Sequence, residues 1–226
     1  MNDTPLMERQ ARLQQRICAA VDAAGRRRDQ VHLLAVSKHQ PAASVRALYA
    51  LGQRHFGENY VQEALAKQQQ LSDLADLTWH FIGPLQRNKT AAVAAHFSWV
   101  HSVDRLILAQ RLSEQRRDDL PPLQVCLQVN ISAEASKSGC TCAELPALAA
   151  AVAALPRLRL RGLMALPAPG DHTAFQRLAA MQAELVQSGQ ALDTLSMGMS
   201  DDLEAAIAAG AGWIRIGSAL FGPRKA

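Results

Sequence analysis

The sequence has no long apolar run, few aromatic residues and only four cysteines among 226 positions. No stretch approaches the ~18 uncharged apolar residues of a membrane-spanning helix, so we expect no integral membrane protein. The polar residues 1–5 lack the apolar core of a secretory signal. Four scattered cysteines are too few for a disulfide framework. These absences predict a cytoplasmic globular protein that does not bind membranes.

The charge balance is only mildly positive. Lys and Arg outnumber Asp and Glu by 24 to 20, a net charge of +4, and the one dense basic run, residues 26–28, is followed at once by Asp29. With 4% aromatic residues the chain carries no RNA-binding aromatic motif, and no zinc-finger spacing occurs. We therefore expect no nucleic-acid partner. A nucleic-acid-binding protein remains an alternative because the net charge is positive.

Short apolar strands alternate with helical segments along the whole chain. Eight such units predict a parallel α/β fold, a single (β/α)8 TIM barrel with an extra N-terminal helix. We assign residues 1–30 to that helix, 31–222 to the barrel and 1–226 to one domain. Strands are predicted at 31–37, 54–57, 79–82, 99–102, 123–131, 158–166, 194–198 and 213–216. Helices are predicted at 6–24, 41–52, 60–71, 88–96, 104–117, 142–155, 174–187 and 201–209, with none after the last strand.

A doubly wound open sheet is the alternative architecture. Its dinucleotide-binding form requires a Gly-x-Gly-x-x-Gly turn after the first strand, and this sequence has none there. The barrel is therefore the favoured prediction, and its functional residues are expected at the C-terminal ends of the strands.

Lys38 closes the first predicted strand. A lysine at the end of an apolar strand is partly desolvated, which favours its neutral amine and hence Schiff-base chemistry. The alternative is a lysine that turns outward into water. Position alone does not separate the two.

The last two units carry paired glycine and serine residues where a strand gives way to a helix. Gly198 and Ser200 follow the seventh strand, and Gly217 and Ser218 follow the eighth. Loops at these two places form the common phosphate site of TIM barrels. Arg215, two residues before Gly217, points to the same side of its strand. A buried guanidinium there needs an acceptor, which could be a ligand ring nitrogen, a carboxylate or an acidic core neighbour.

A lysine, a phosphate-binding pair of loops and a positioned arginine in one cavity describe a pyridoxal 5'-phosphate (PLP) site. From about residue 33 to 222 the sequence resembles the PLP homeostasis proteins, called YggS-type in bacteria and PROSC in animals. Besides the two loops, the resemblance is carried by the blocks 35–38, 57–63, 79–89, 128–132, 136–139 and 161–165. The block 79–89, which reads Trp-His-Phe-Ile-Gly-Pro-Leu-Gln-Arg-Asn-Lys, is the most specific of them.

The resemblance implies a monomeric barrel, similar to the N-terminal domain of bacterial alanine racemase, that holds PLP as a Schiff base on Lys38. It implies that Ser200, Gly217 and Ser218 hold the phosphate and that Arg215 faces the pyridine nitrogen. Ser218 stands where many relatives have Thr, a change that keeps the hydroxyl donor. The other pocket residues that it implies are Asn59 and Met164.

The implied function is intracellular PLP homeostasis without a committed reaction, with PLP and PLP-dependent apo-enzymes as partners. The alternative is an amino-acid racemase-like PLP enzyme. Racemisation needs two bases on opposite faces of the substrate, and Lys38 supplies one. In alanine racemases the second is a tyrosine of a C-terminal domain, which we expect this chain, ending at Ala226, to lack. Tyr49 is predicted on an outer helix, which leaves Tyr60. An arginine at the pyridine nitrogen would also leave that nitrogen unprotonated, which makes the ring a poor sink for a carbanion.

Other polar residues are given ordinary structural roles. Cys140 and Cys142 lack a second Cys or His pair nearby, so no metal site is expected. His80 and His101 are interpreted as packed histidines near strand ends, although either could reach the cofactor. A set of charges on helix surfaces is predicted from Glu58, Glu63 and Lys89.

Overall fold

The computed structural model describes residues 5–134, 137–171 and 173–222. The polar N-terminal residues 1–4, Ser136 of the block 136–139, and the end of the sequence at 223–226 lie outside these ranges. Within the described residues no helix is both long and apolar enough to cross a membrane.

Eight parallel strands of the described chain close into a barrel in sequence order. The last strand pairs with the first, so the sheet has no free edge. This confirms the predicted (β/α)8 TIM barrel, with boundaries within a few residues of those expected. The strands are β1 (His32–Val36), β2 (His55–Glu58), β3 (Thr78–Phe81), β4 (Trp99–Val103), β5 (Leu123–Val129), β6 (Leu158–Ala165), β7 (Thr194–Ser196) and β8 (Trp213–Ile216).

Helices surround the barrel and follow each strand. They are α1 (Leu6–Ala23), α2 (Ala42–Ala50), α3 (Val61–Gln70), α4 (Thr90–His96), α5 (Leu106–Gln115), α6 (Leu145–Ala153), α7 (Ala174–Gln187), α8 (Leu203–Ala208) and α9 (Ser218–Phe221). A short 3-10 turn, Arg87–Lys89, precedes α4. The expectation that no helix follows the last strand is wrong, because the four-residue α9 begins directly after the Gly217 turn.

The extra N-terminal helix packs on the barrel through one apolar face. Leu13, Ile17, Ala20 and Val21 are its buried residues, the same face that the 3.6-residue period predicts. The helix ends where Gly25 takes a φ of +63°, a left-handed conformation that glycine adopts without steric cost. It packs mainly on α8 and α9, so the first helix lies against the last two.

The interior of the barrel differs from the layer between strands and helices. The outer layer is a large aliphatic core. A smaller cluster inside the barrel contains the indoles of Trp99 and Trp213, whose ring centroids lie 5.8 Å apart. Because β4 and β8 are on opposite sides of the barrel, these two side chains must point inward. Buried polar side chains share this interior, among them His80, His101 and Arg215.

Candidate functional site

A cavity of about 280 Å³ opens at the C-terminal ends of β1 and β8. It brings together six of the seven residues predicted for the site: Lys38, Asn59, Ser200, Arg215, Gly217 and Ser218. The seventh, Met164, is fully buried in the cluster inside the barrel and is not among the residues that line the cavity. Apolar walls come from Val36, Ile82 and Leu166, which the sequence analysis did not single out.

Buried polar contacts fix the turn that carries Lys38. The hydroxyl of Ser37 donates to Glu58 Oε1 at 2.6 Å, and the ammonium of Lys67 donates to the Ser37 carbonyl at 2.6 Å. The same ammonium lies 2.7 Å from both Glu58 Oε1 and Glu63 Oε1. Glu63 in turn accepts the backbone N–H of His39 at 2.5 Å. Helix α3 therefore holds the residues on both sides of Lys38.

These contacts correct the predicted set of surface charges. Glu58 is fully buried at the end of β2, and its ion-pair partner is Lys67. Burial raises the pKa of the Glu58 carboxyl above its ordinary value, an effect that the hydrogen bond and charge of Lys67 oppose. Lys67 has no local sequence signal as the partner of Glu58, because the pair forms only when α3 packs against β2.

Two serine hydroxyls meet at the side of the cavity formed by the loops after β7 and β8. Ser200 Oγ and Ser218 Oγ lie 3.2 Å apart, and the backbone N–H of Ala219 donates to Ser200 Oγ at 3.4 Å. The first loop turns at Gly198, where φ is +91° and a Cβ atom would lie 2.5 Å from that of Ala206. The expected helix start at residue 201 is wrong, because α8 begins at Leu203 and the Ser200 hydroxyl faces Ser218.

The N-terminal helix braces both of these loops. The guanidinium of Arg16 donates to the Ser200 carbonyl at 2.7 Å and forms a two-point ion pair with Glu204 of α8. Two turns earlier on α1, Arg9 Nε donates to the Leu220 carbonyl of α9 at 3.0 Å. No local motif signals these contacts, since each joins residues about two hundred positions apart.

Arg215 is buried between the interior of the barrel and the cavity. Its guanidinium donates to Ser196 Oγ and to the Ala165 carbonyl, each at 2.9 Å. Both acceptors are neutral, so these contacts do not provide the acidic partner that the sequence left open. Burial lowers the pKa of Arg215 to about 10, which still leaves the side chain charged at neutral pH.

Asn59 lines the cavity and carries one buried polar atom without a partner. Its Oδ1 atom is buried and has no hydrogen-bond partner among the described residues. An unsatisfied buried amide oxygen is costly, which favours a ligand donor at this place. The loop after β3 can lie against Asn59 only because residue 83 is glycine, since a Cβ atom there would be 2.2 Å from the Asn59 carbonyl oxygen.

The histidine and cysteine candidates lie away from the cavity lining. His80 and His101 are fully buried inside the barrel and do not line the cavity. Cys140 is buried, and burial raises the pKa of its thiol to about 12, while Cys142 is exposed. Within the described parts of the chain, no cluster of three metal-ligating side chains is found.

The fold and the cavity define a TIM barrel with an amine, a hydroxyl pair and an arginine at one mouth. Residues 9–225 match the family model of the alanine racemase N-terminal domain. The chain is 62% identical over 224 residues to the pyridoxal phosphate homeostasis protein of Pseudomonas aeruginosa, covering 97% of this chain and 96% of that protein. It is 52% identical over 231 residues to that of Escherichia coli strain K12, covering 99% and 98%. The chain therefore belongs to the alanine racemase N-terminal domain family and, within it, to the pyridoxal phosphate homeostasis proteins.

Solved structures agree with this assignment. PipY of Synechococcus elongatus, determined with PLP bound, has a TM-score of 0.84 and 41% identity, covering 96% of this chain and 100% of that chain. Alanine racemase from Corynebacterium glutamicum has a TM-score of 0.68 at 18% identity, and the match covers 92% of this chain and 59% of that one. At that identity the second similarity concerns the fold alone.

We predict that Lys67→Met lowers the free energy of unfolding by about 3–5 kcal/mol at pH 7, because it leaves Glu58 buried without its partner. The variant can fold with Glu58 protonated and neutral. The free energy needed to protonate this carboxyl falls by about 1.4 kcal/mol for each unit that the pH is lowered toward the ordinary glutamate pKa of ~4.3. The deficit relative to wild type should therefore shrink between pH 7 and pH 5 in denaturant titrations.

The matched control is Arg12→Met, which removes an exposed pair with Glu8 on α1. It should change stability little at either pH, since surface pairs contribute little. A Lys67→Met deficit that stays constant with pH would contradict the role given to Glu58.

Proposed function

We propose that this protein binds PLP in the cavity at the mouth of the barrel and serves PLP homeostasis in the cytoplasm, as a single-domain monomer. The observation that carries the proposal is the convergence of Lys38, the Ser200–Ser218 hydroxyl pair and Arg215 on one cavity. The PLP bound to PipY, which is 41% identical to this chain, supports it. The names of the relatives support the homeostasis role.

The residues around the cavity fit the chemical groups of PLP. The hydroxyls of Ser200 and Ser218, with the backbone turn at Gly217, suit the phosphate because they offer donors within reach of one anion. Arg215 remains a donor at neutral pH and suits an unprotonated pyridine nitrogen. The unpartnered Asn59 Oδ1 suits a donor on the ring or its substituents. Met164 belongs to the buried cluster against which the cavity-wall residues Ile82 and Leu166 pack, so it would support those walls.

Lys38 is the residue we propose for covalent attachment. Bound PLP supplies an aldehyde, to which a neutral lysine amine adds with loss of one water to give a Schiff base. Lys38 is half-buried and lines the cavity, and the turn that carries it is held from both sides by Ser37 and His39. Holding the turn in this way fixes the amine relative to the phosphate loops.

We further propose that the protein has no committed catalytic reaction and delivers PLP to PLP-dependent apo-enzymes. Tyrosine is not among the described residues that line the cavity. Tyr49 hydrogen-bonds Asp76 on the outside of the barrel, and Tyr60 is 51% exposed beside His39. A charged Arg215 at the ring nitrogen would keep that nitrogen unprotonated, which weakens the ring as an electron sink.

The experiment for this proposal is a turnover assay of the PLP-loaded protein with a panel of L-amino acids. We expect racemisation no faster than that of free PLP at equal concentration, because only one base faces the substrate. Chiral chromatography of the products measures it. Sustained racemisation well above the free-cofactor rate would establish the racemase alternative in place of the carrier.

We predict that Lys38→Ala abolishes covalent attachment of PLP and leaves the fold intact. Lys38 lies at the mouth of the barrel, outside the packed interior, so truncation should cost little stability. Absorbance of the Schiff base and circular dichroism measure the two effects. Lys89→Ala is the control and should keep the wild-type spectrum. An unchanged spectrum in Lys38→Ala would mean that another lysine, such as Lys89 or Lys137, carries the cofactor.

We predict that the double variant Ser200→Ala, Ser218→Ala binds PLP about 100- to 10,000-fold more weakly than wild type. Each hydroxyl bond to a charged phosphate contributes about 1.5–3 kcal/mol, while the backbone donors of the turn remain. Equilibrium titration measures the affinity. Pyridoxal, which has no phosphate, should bind wild type and variant equally. Equal PLP affinity in both proteins would place the phosphate elsewhere.

A further inference from the structure

A continuous chain of side-chain hydrogen bonds runs through the barrel interior from Arg215. Ser196 Oγ accepts from Arg215 at 2.9 Å and lies 2.7 Å from His101 Nδ1. His101 Nε2 lies 2.9 Å from His80 Nδ1, and His80 Nε2 lies 3.0 Å from His55 Nδ1. The chain joins β8 to β7, β4, β3 and β2, so it crosses the barrel from the cavity toward the opposite mouth.

The proton of the Ser196 hydroxyl sets the direction of this chain, because it needs an acceptor. A guanidinium can only donate, so Ser196 Oγ must accept from Arg215. Among the described residues, the other partner of that oxygen is His101, so the serine proton has its acceptor at His101 Nδ1. His101 then carries its proton on Nε2 and donates to His80.

The same tautomer follows for each histidine in turn. His80 accepts on Nδ1 from His101 and donates from Nε2 to His55, which is left with an Nε2 proton facing away from the chain. The chain requires neutral rings, and the pKa values agree. Burial lowers the pKa of His101 to about 3, that of His55 to about 4 and that of His80 well below the ordinary range.

Aromatic packing fixes the ring in the middle of the chain. The imidazole of His80 is stacked on the indole of Trp99, with centroids 5.4 Å apart and planes 9° apart. The indole of Trp213 meets His80 edge-on at 4.8 Å. The interior cluster thus sets the ring planes. The tautomer of each ring is then set by the direction of the hydrogen bonds along the chain.

We propose that Ser196, His101, His80 and His55 act as positioning residues that hold the guanidinium of Arg215 toward the cavity and direct its donors at the ring nitrogen of the bound cofactor. Every dipole in the chain turns its acceptor end toward the arginine, and hydrogen bonds aligned in this way strengthen one another. The chain takes the place of a carboxylate partner. A carboxylate would neutralise the charge, whereas neutral dipoles stabilise it and leave it available to a ligand. This inference rests on the proposed PLP site.

The test begins with the histidine tautomers of the protein without PLP, read from the ring nitrogens by ¹⁵N NMR. We expect the Nε2-protonated neutral form at His55, His80 and His101 in wild type. In Ser196→Ala, His101 Nδ1 loses its donor, so its nitrogen signals should shift and those of His80 should follow. An Nδ1-protonated His101 in wild type would overturn the proposal without involving PLP.

The second measurement is PLP affinity of the full chain. Ser196→Ala and His101→Leu should each weaken PLP binding about 10- to 100-fold, the loss expected when one hydrogen bond to a charged group is misdirected. Ser113→Ala is the matched control: it removes another buried serine hydroxyl, bonded to the Pro156 carbonyl on the outside of the barrel, and should leave PLP affinity and tautomers unchanged.

The two proposals fail in different ways. If wild type binds no PLP, the proposed function is wrong, while the tautomers still report on the chain. If wild type binds PLP and Ser196→Ala binds it equally well with unshifted histidine signals, the positioning chain is wrong and the proposed function stands. If His101→Leu does not fold, Ser196→Ala alone decides, since it removes a single oxygen atom.

Discussion

Pairing of the last strand with the first is the constraint on which the site depends. The β8–β1 register sets Leu34 opposite Arg215 and Ala35 opposite Ile216, so the two strands end side by side. Lys38 therefore emerges next to the Gly217 turn, although the residues are far apart in sequence. An open sheet with the same elements would place β1 and β8 apart and would leave no cavity between them.

The cavity also depends on the buried positive charge of Arg215, whose side chain is not hydrogen-bonded to a carboxylate among the described residues. Arg215 donates to a serine hydroxyl and a backbone carbonyl, and burial lowers its pKa to about 10 although the negative charge of Asp202 opposes the shift. With an aliphatic interior, the usual filling of a TIM barrel, this side chain would keep only the backbone carbonyl of Ala165 as an acceptor. The histidines and tryptophans inside β2, β3, β4 and β8 supply a polar interior instead. We propose that this polar interior holds Arg215 in place, so that its guanidinium can donate to the ring nitrogen of a bound cofactor.

Much of the fold and part of the site could be predicted from the sequence. Apolar strands at regular spacing predicted all eight units, and serines in the loops after strands seven and eight predicted the hydroxyl pair. Helix α9 was missed because four residues carry no periodic signal. Lys67 and Arg16 were missed for another reason: their partners lie on other elements, so only tertiary packing brings them together. Glu58 was placed at the surface because its charge outweighed its position at the end of a buried strand.

Reductive trapping followed by peptide mass mapping tests the central claim most directly. Wild-type protein is incubated with PLP, reduced with borohydride, digested and analysed for the pyridoxyl-phosphate mass on lysine. The account predicts one stoichiometric adduct, on Lys38, with none on Lys67, whose ammonium is held by Glu58 and Glu63. A stoichiometric adduct on any other lysine, or none at all under conditions where PLP is retained, would contradict it.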